Sequence, residues 1–272
     1  MTPASPSRAL LLALLWPVLL AGCARPPQGG GGIVSTNPCA DAMLVEMVPA
    51  TRIAAVSHYS QTPGASSMPL ALARRFRATA GTAEEVIALR PDLVVASSFT
   101  APATRDAWAR AGLKTLYLGI PASIAASTAQ VRELAGAVDA RPAGERIVQG
   151  IDQALRRTRP RDARRPRALL YIAGDLANGG GTLLDELMTH VGLTNAAAGY
   201  GLAFTGRLPA ETLVAHPPEL VIAPDTDRLA RLRERLLPKT RAAGIDPALL
   251  YCGGPAIPPA LDRLAAIRRN VP

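Results

Sequence analysis

Residues 83–96, Ala-Glu-Glu-Val-Ile-Ala-Leu-Arg-Pro-Asp-Leu-Val-Val-Ala, return as residues 210–223, Ala-Glu-Thr-Leu-Val-Ala-His-Pro-Pro-Glu-Leu-Val-Ile-Ala. Seven of the fourteen positions are identical without a gap. Each copy reads as a short helix, a proline that cannot continue it, and a buried strand. One supersecondary unit occurring twice implies two similar α/β lobes.

The rest of the chain fits that division. Short aliphatic runs at 33–35, 53–56, 93–96 and 115–118, then at 168–172, 195–198, 220–223 and 249–251, alternate with helical patterns, as βα units with parallel sheets require. Between the halves, 123–138 and 143–157 carry apolar residues at helical spacing, with Ile147, Ile151 and Leu155 on one face and a break at Arg141-Pro142. Residues 156–167 follow with seven Arg and one Asp, a composition suited only to a solvated connector.

That connector explains the charge. The chain has 272 residues, 49% hydrophobic and 4% aromatic, with a formal net charge of +9, which excludes a disordered polyelectrolyte and a multi-span membrane protein. The connector alone contributes +6, so the basic balance is one local patch and not a nucleic-acid footprint.

The N-terminus reads as an address. Arg8 precedes an apolar run from Ala9 to Leu20, too short to span a bilayer and suited to a secretory leader. It ends in Leu20-Ala21-Gly22-Cys23, which resembles the lipobox of bacterial lipoproteins and makes Cys23 the acylation candidate. Residues 1–22 are then leader, 23–32 a Pro/Gly tether, 33–122 the first lobe, 123–167 the interlobe helix and connector, and 168–272 the second lobe. Cys39 and Cys252 remain in the mature chain. A disulfide, two free buried thiols and soft metal ligands all stay open for them.

The phrase Glu84-Glu85-Val86-Ile87-Ala88-Leu89-Arg90-Pro91-Asp92-Leu93-Val94 and its echo from Glu211, together with 55–63 (Ala-Val-Ser-His-Tyr-Ser-Gln-Thr-Pro) and 180–187, resemble the helical-backbone substrate-binding proteins of ABC importers for cobalamin, haem and iron-siderophores. The resemblance covers about residues 33–255. It implies two Rossmann-like parallel-sheet lobes joined by a long α-helix, the class III periplasmic binding protein fold. It also implies a monomeric, lipid-anchored periplasmic protein that takes a corrinoid, haem or ferric siderophore between its lobes and delivers it to permease subunits.

Ligands of open parallel sheets bind beyond the carboxyl ends of the strands. The loops expected there carry Ser57, His58, Tyr59, Ser98, Phe99, Asp175, Tyr200, Phe204 and Asp225. Four of the nine aromatics of the mature chain, Tyr59, Phe99, Tyr200 and Phe204, fall among them, and aromatic faces suit a flat macrocycle. By the resemblance Tyr59 matches a cobalamin-contacting position, and Glu84 and Glu211 match the two permease-docking glutamates. Thr82 and Glu85 read as a reciprocal capping box that leaves Glu84 outward.

His58 is the one histidine on such a loop and a candidate metal ligand, although no metal or cofactor is expected to reside in the protein. Gly179-Gly180-Gly181-Thr182 lacks the lysine of a phosphate loop, so Thr182 with Asp185 reads as a helix cap. A hydrolase-like cleft enzyme is the rival, without a recognisable nucleophile motif, and a zinc or manganese capture protein is a second, short of histidines.

Overall fold

The structure, a computed structural model, describes Met1 and residues 31–226 and 228–271. The leader from residue 2, Cys23 and the tether through Gly30 lie outside the described residues.

The first half alternates strand and helix: β1 (Ile33–Ser35), α1 (Pro38–Met47), β2 (Ile53–Ser57), α2 (Leu70–Ala73), β3 (Ala78–Thr79), α3 (Ala83–Leu89), β4 (Leu93–Ser97), α4 (Pro102–Arg110) and β5 (Thr115–Leu118). All pairings in its sheet are parallel, in the order β3-β2-β1-β4-β5. Two long helices follow, α5 (Ile124–Ala137) and α6 (Arg141–Thr158).

The second half contains β6 (Arg167–Ala173), β7 (Leu176–Ala177), α7 (Leu183–His190), β8 (Thr194–Asn195), β9 (Gly206–Arg207), β10 (Leu220–Pro224), α8 (Ala230–Leu236), β11 (Arg241–Ile245) and α9 (Ile257–Arg269). Its sheet runs β11-β10-β6-β7-β9, with β8 added on β6. The pairs of β6 with β10 and β8, and of β10 with β11, are parallel, whereas β7 and β9 are antiparallel additions.

Side chains alternate across both sheets and sort into separate cores. Ile33, Leu93 and Val95 in the first sheet, and Ala168, Leu170, Leu220 and Ile222 in the second, join one cluster with α1, α5, α6, α7 and α9. Their neighbours turn to the opposite faces: Val34, Val94 and Ala96 pack with Trp108, and Leu169, Tyr171, Val221 and Ala223 pack with Leu213 and Leu237. The helical layer is thus one core shared by both sheets. Along α6 the buried stripe is Ala143, Ile147, Ile151, Ala154 and Thr158, at the spacing of an amphipathic helix. Bending the lobes apart would open this shared core, which opposes a wide hinge motion.

Several sequence expectations change. Of the run 195–198 only Asn195 is strand, the end of β8: it accepts a hydrogen bond from the Ala197 amide and starts a 3-10 turn over Ala196–Tyr200, because three small alanines give a strand little to pack. The run 249–251 follows a 3-10 turn, Pro247–Leu249, and the edge strand is β11, whose Arg-Ala-Ala-Gly-Ile lacks an aliphatic signal.

The repeat keeps its strand in both copies, β4 and β10, but its helix only in the first. In the second a four-residue 3-10 turn, Ala210–Leu213, replaces it ahead of Pro217-Pro218. The connector is solvated through most of its length, yet Pro166 is buried and Asp162 pairs with the buried Arg268. Gly31 and Gly32, read as tether, are seated in the fold: the Gly32 carbonyl accepts from the Asp92 amide at 2.8 Å.

Candidate functional site

The carboxyl ends of the two sheets meet. The loop after β2 reaches the segment after β11 through a bond from Ser67 Oγ to the Ala248 carbonyl, 2.5 Å long. Cys39, in the first turn of α1, is disulfide-bonded to Cys252, with the Cα atoms 5.2 Å apart. On the other flank the Ile124 amide at the start of α5 donates to Glu186 Oε2 of α7 at 2.7 Å. Between the halves lies a cavity of about 400 Å³, lined by Pro63 and Gly64 from the first and by Ile172, Leu229, Pro247 and Tyr251 among others from the second. Arg228 supplies a cation at its wall.

The residues singled out from sequence occupy different places. Ser57, only 1% exposed, ends β2; its hydroxyl accepts from the Tyr59 amide and its own amide donates to Asp41 Oδ2 at 2.9 Å. It therefore shapes the loop from beneath. His58 Nδ1 donates to the Thr79 carbonyl at 3.2 Å, and its ring lies 4.1 Å from that of Tyr59. Tyr59 is 53% exposed, four residues before Pro63 of the cavity wall. Ser98 and Phe99 stand at the end of β4, both exposed, Phe99 to 74%.

In the second half Asp175 occupies the β6–β7 turn and is held by Arg207 at 3.0 Å, whose hydrogen bond lowers the carboxyl below its usual pKa. Asp225 follows β10 but turns to the other side of the strand. A Cβ on Gly244 would overlap its Oδ1, and it lines a separate cavity of about 200 Å³ beside Arg233 and Glu234. Its neighbour Thr226 reaches the interlobe cavity instead, and Pro224 lines both.

Two aromatics are not with the others. Tyr200, expected beyond a strand end, closes the 3-10 turn after β8 near the amino end of β6, and its hydroxyl donates to the His216 carbonyl at 2.5 Å. Phe204 leads into β9 at the sheet edge and is exposed, its backbone seated on Gly179, where a Cβ would lie 2.1 Å from the Phe204 carbonyl carbon. The glycine run therefore admits the chain's own loop. Thr182 Oγ1 accepts from the Asp185 amide at 3.1 Å, the N-cap of α7.

Glu84 and Glu211 are both exposed, at the starts of α3 and of the 210–213 turn. The capping box is half formed: Thr82 Oγ1 accepts from the Glu85 amide, but the Glu85 carboxylate takes Thr79 Oγ1 and the Ala80 amide, both at 2.8 Å. Those bonds lower its pKa, the Thr79 hydroxyl first. His190 bonds the Leu155 carbonyl. Among the described residues no three metal-ligating side chains cluster and no helix is long and apolar enough to cross a membrane.

Sequence reasoning missed the cavity wall. Pro63 ends the stretch 55–63 singled out from sequence and Gly64 falls just outside it, while Tyr251 is expected to end a strand, so an aromatic after the last strand is the available signal. It also missed Asp41, buried and indistinguishable in sequence from any first-turn helix acid.

No curated protein sequence matches the chain. Among solved structures, the apo periplasmic heme-binding protein RhuT from Roseiflexus sp. RS-1 superposes with a TM-score of 0.68 at 20% identity, over 88% of this chain and 97% of that one. A periplasmic heme-binding protein from Pseudomonas aeruginosa gives 0.68 at 21%, over 87% and 92%. The heme-binding protein HutB of Vibrio cholerae gives 0.70 at 15%, over 88% and 99%. At these identities the likeness establishes the fold, two α/β lobes with a helical connection. The family model described as "Periplasmic binding protein" matches residues 33–248, so the chain belongs to the periplasmic binding proteins, extracytoplasmic substrate-binding components of ABC transporters.

Proposed function

We propose that this protein captures haem, with a corrinoid or a ferric siderophore as the alternatives, and delivers it to an ABC permease while anchored to the membrane through acylated Cys23. The observation that carries the reading is the exposed aromatic set at the carboxyl ends of the strands: Tyr59 and Phe99 from one sheet and Tyr251, 39% exposed, after the last strand of the other. Leaving such rings in water forfeits about 25 cal/mol per Å² of apolar surface, which a flat ligand would recover. Five of the similar folds are heme-binding proteins, one of them solved with two hemes. Arg228 offers a partner for an acidic substituent. No bond is made or broken in this reading, and no resident metal or cofactor is needed.

Glu84 and Glu211 mark the docking surface for the permease, one on each half. Their charge would set orientation and association rate more than affinity.

Haemin, cyanocobalamin and a ferric siderophore, titrated into the folded mature protein and followed by absorbance, test the ligand class. Haemin is expected to bind, with Tyr59→Ala and Phe99→Ala each weakening it about tenfold, the range of one lost aromatic contact. Binding of none of the three would sink the class.

A further inference from the structure

We infer that the first turn of α1 positions the cleft's tyrosines on both halves, Asp41 holding the loop of Tyr59 from beneath and Cys39 holding the segment of Tyr251 across the molecule. The link from those tyrosines to a ligand rests on the function proposed above.

The turn is itself well fixed. Asn37 caps it, its side chain accepting from the Cys39 amide at 2.9 Å, and Pro38 occupies the first helical position, where its missing donor costs nothing. Asp41 is fully buried, and its Oδ2 accepts two bonds that bracket Tyr59: from the Ser57 amide at 2.9 Å and from Ser60 Oγ at 2.6 Å. Ser60 Oγ lies 3.4 Å from Ser66 Oγ, which in turn accepts from the Met68 amide, so the hold extends along the loop past Pro63 and Gly64. Asp41 Oδ1 has no hydrogen-bond partner. A buried carboxyl group left half-satisfied opposes stability, and its geometry is that of a device retained to hold a loop.

Two residues earlier in the same turn, Cys39 is bonded to Cys252, the residue after Tyr251. The segment then locks onto the helices: the Gly254 amide donates to Ser127 Oγ at 2.7 Å, and a Cβ on Gly253 would overlap that hydroxyl. One helical turn thus references both rims of the cavity to a single rigid frame. Covalent linkage across two halves that also share a core fixes the separation at which a ligand must fit.

The test has a ligand-free and a ligand-bound arm, both on the mature chain. Backbone hydrogen exchange is measured for wild type, Asp41→Ala and the double variant Cys39→Ser/Cys252→Ser, with strands β4 and β10 as internal references. Asp41→Ala is expected to speed exchange over 57–62, and the double variant over 249–254, each by about tenfold, while the reference strands keep their rates. Unchanged exchange in those loops, or equal loosening of the reference strands, overturns the inference whatever the protein binds.

In the second arm both variants are expected to lose about tenfold in haemin affinity. Wild-type affinity in both variants also overturns it. If wild type itself binds no haemin, the ligand reading falls and the exchange data alone decide whether the turn positions the loops.

Discussion

The guanidinium of Arg105 lies over the ring of Tyr117, 4.5 Å from its centroid, while its Nε donates to the Thr100 carbonyl at 2.8 Å and an Nη to that of Ser98. Arg105 belongs to α4, after β4. The helix after β10, the partner of β4 in the repeat, carries the same device: Arg233 of α8 stacks 3.7 Å from the Tyr171 centroid and donates to the Gly174 carbonyl. In both halves an arginine thus rests on a strand tyrosine and grips a carbonyl of a loop at the carboxyl end of the sheet.

Removing these clamps should have unequal costs. Arg233 is buried, so Arg233→Met loses the stack and the bond to the Gly174 carbonyl together, for an expected destabilisation of about 2–3 kcal/mol. Arg105 is half-buried, and Arg105→Met should cost about 1 kcal/mol. Arg→Lys should not rescue either position, since an ammonium cannot stack and fork together. Urea unfolding midpoints of the variants provide the check, and equal effects at the two sites would contradict the assignment.

The crossing of α5 and α6 depends on the absence of one methyl group. A Cβ on Gly144 would lie 2.5 Å from Ala135 Cβ, whereas one on Gly150, on the same helix, meets nothing within 4 Å. Alanine gains about 0.5–1 kcal/mol of helix stability at either glycine. Gly150→Ala should therefore stabilise by that amount. Gly144→Ala must force the helices apart and should destabilise by about 1–3 kcal/mol despite the same propensity gain. Thermal unfolding of the two variants side by side separates propensity from packing, and because both sheets share this core each should unfold in one transition.

The parts of the fold legible in sequence were those in which local pattern and burial agree. β4 and β10 are aliphatic runs buried on both faces, and α6 carries a continuous apolar stripe, so both were readable at nearly their full length. β3, β7, β8 and β9 are two residues each, too short for any period, and β11 is an edge strand of small and polar residues. The site followed suit. Tyr59 and Phe99 were placed because β2 and β4 were placed; Tyr200 was displaced because a run of alanines was read as a strand. The Arg105 and Asp41 contacts join segments whose proximity only the folded chain creates.

Acid should attack the connector first. Asp162 is held at a pKa of about 2, chiefly by its hydrogen bond from the buried Arg268 and then by the Arg164 amide, against an ordinary 3.8. The depressed value means that the pair's contribution is full above about pH 4 and is lost as pH falls from 4 to 2. Asp162→Asn should flatten the stability profile in that window and leave it unchanged in slope near neutrality. An unaltered acid limb in chemical denaturation at pH 2–4 would falsify the pairing's role.

Asp41 should act in the opposite direction and at higher pH. Burial raises its pKa from 3.8 to about 7, against the lowering effect of its serine and Ser57 amide hydrogen bonds. The native state therefore keeps a proton that the unfolded chain releases near pH 4. Stability is fully present below that point, falls as pH rises toward 7, and stays reduced above it, by as much as about 4 kcal/mol for three pK units. Asp41→Asn keeps one acceptor oxygen and carries no charge, so it should remove this slope and make the variant at least as stable as wild type at pH 8. Denaturant midpoints taken from pH 4 to 8 distinguish the cases: a wild-type profile flat across that range would mean that Asp41 is ionised and solvated, and that the loop of Tyr59 rests on something else.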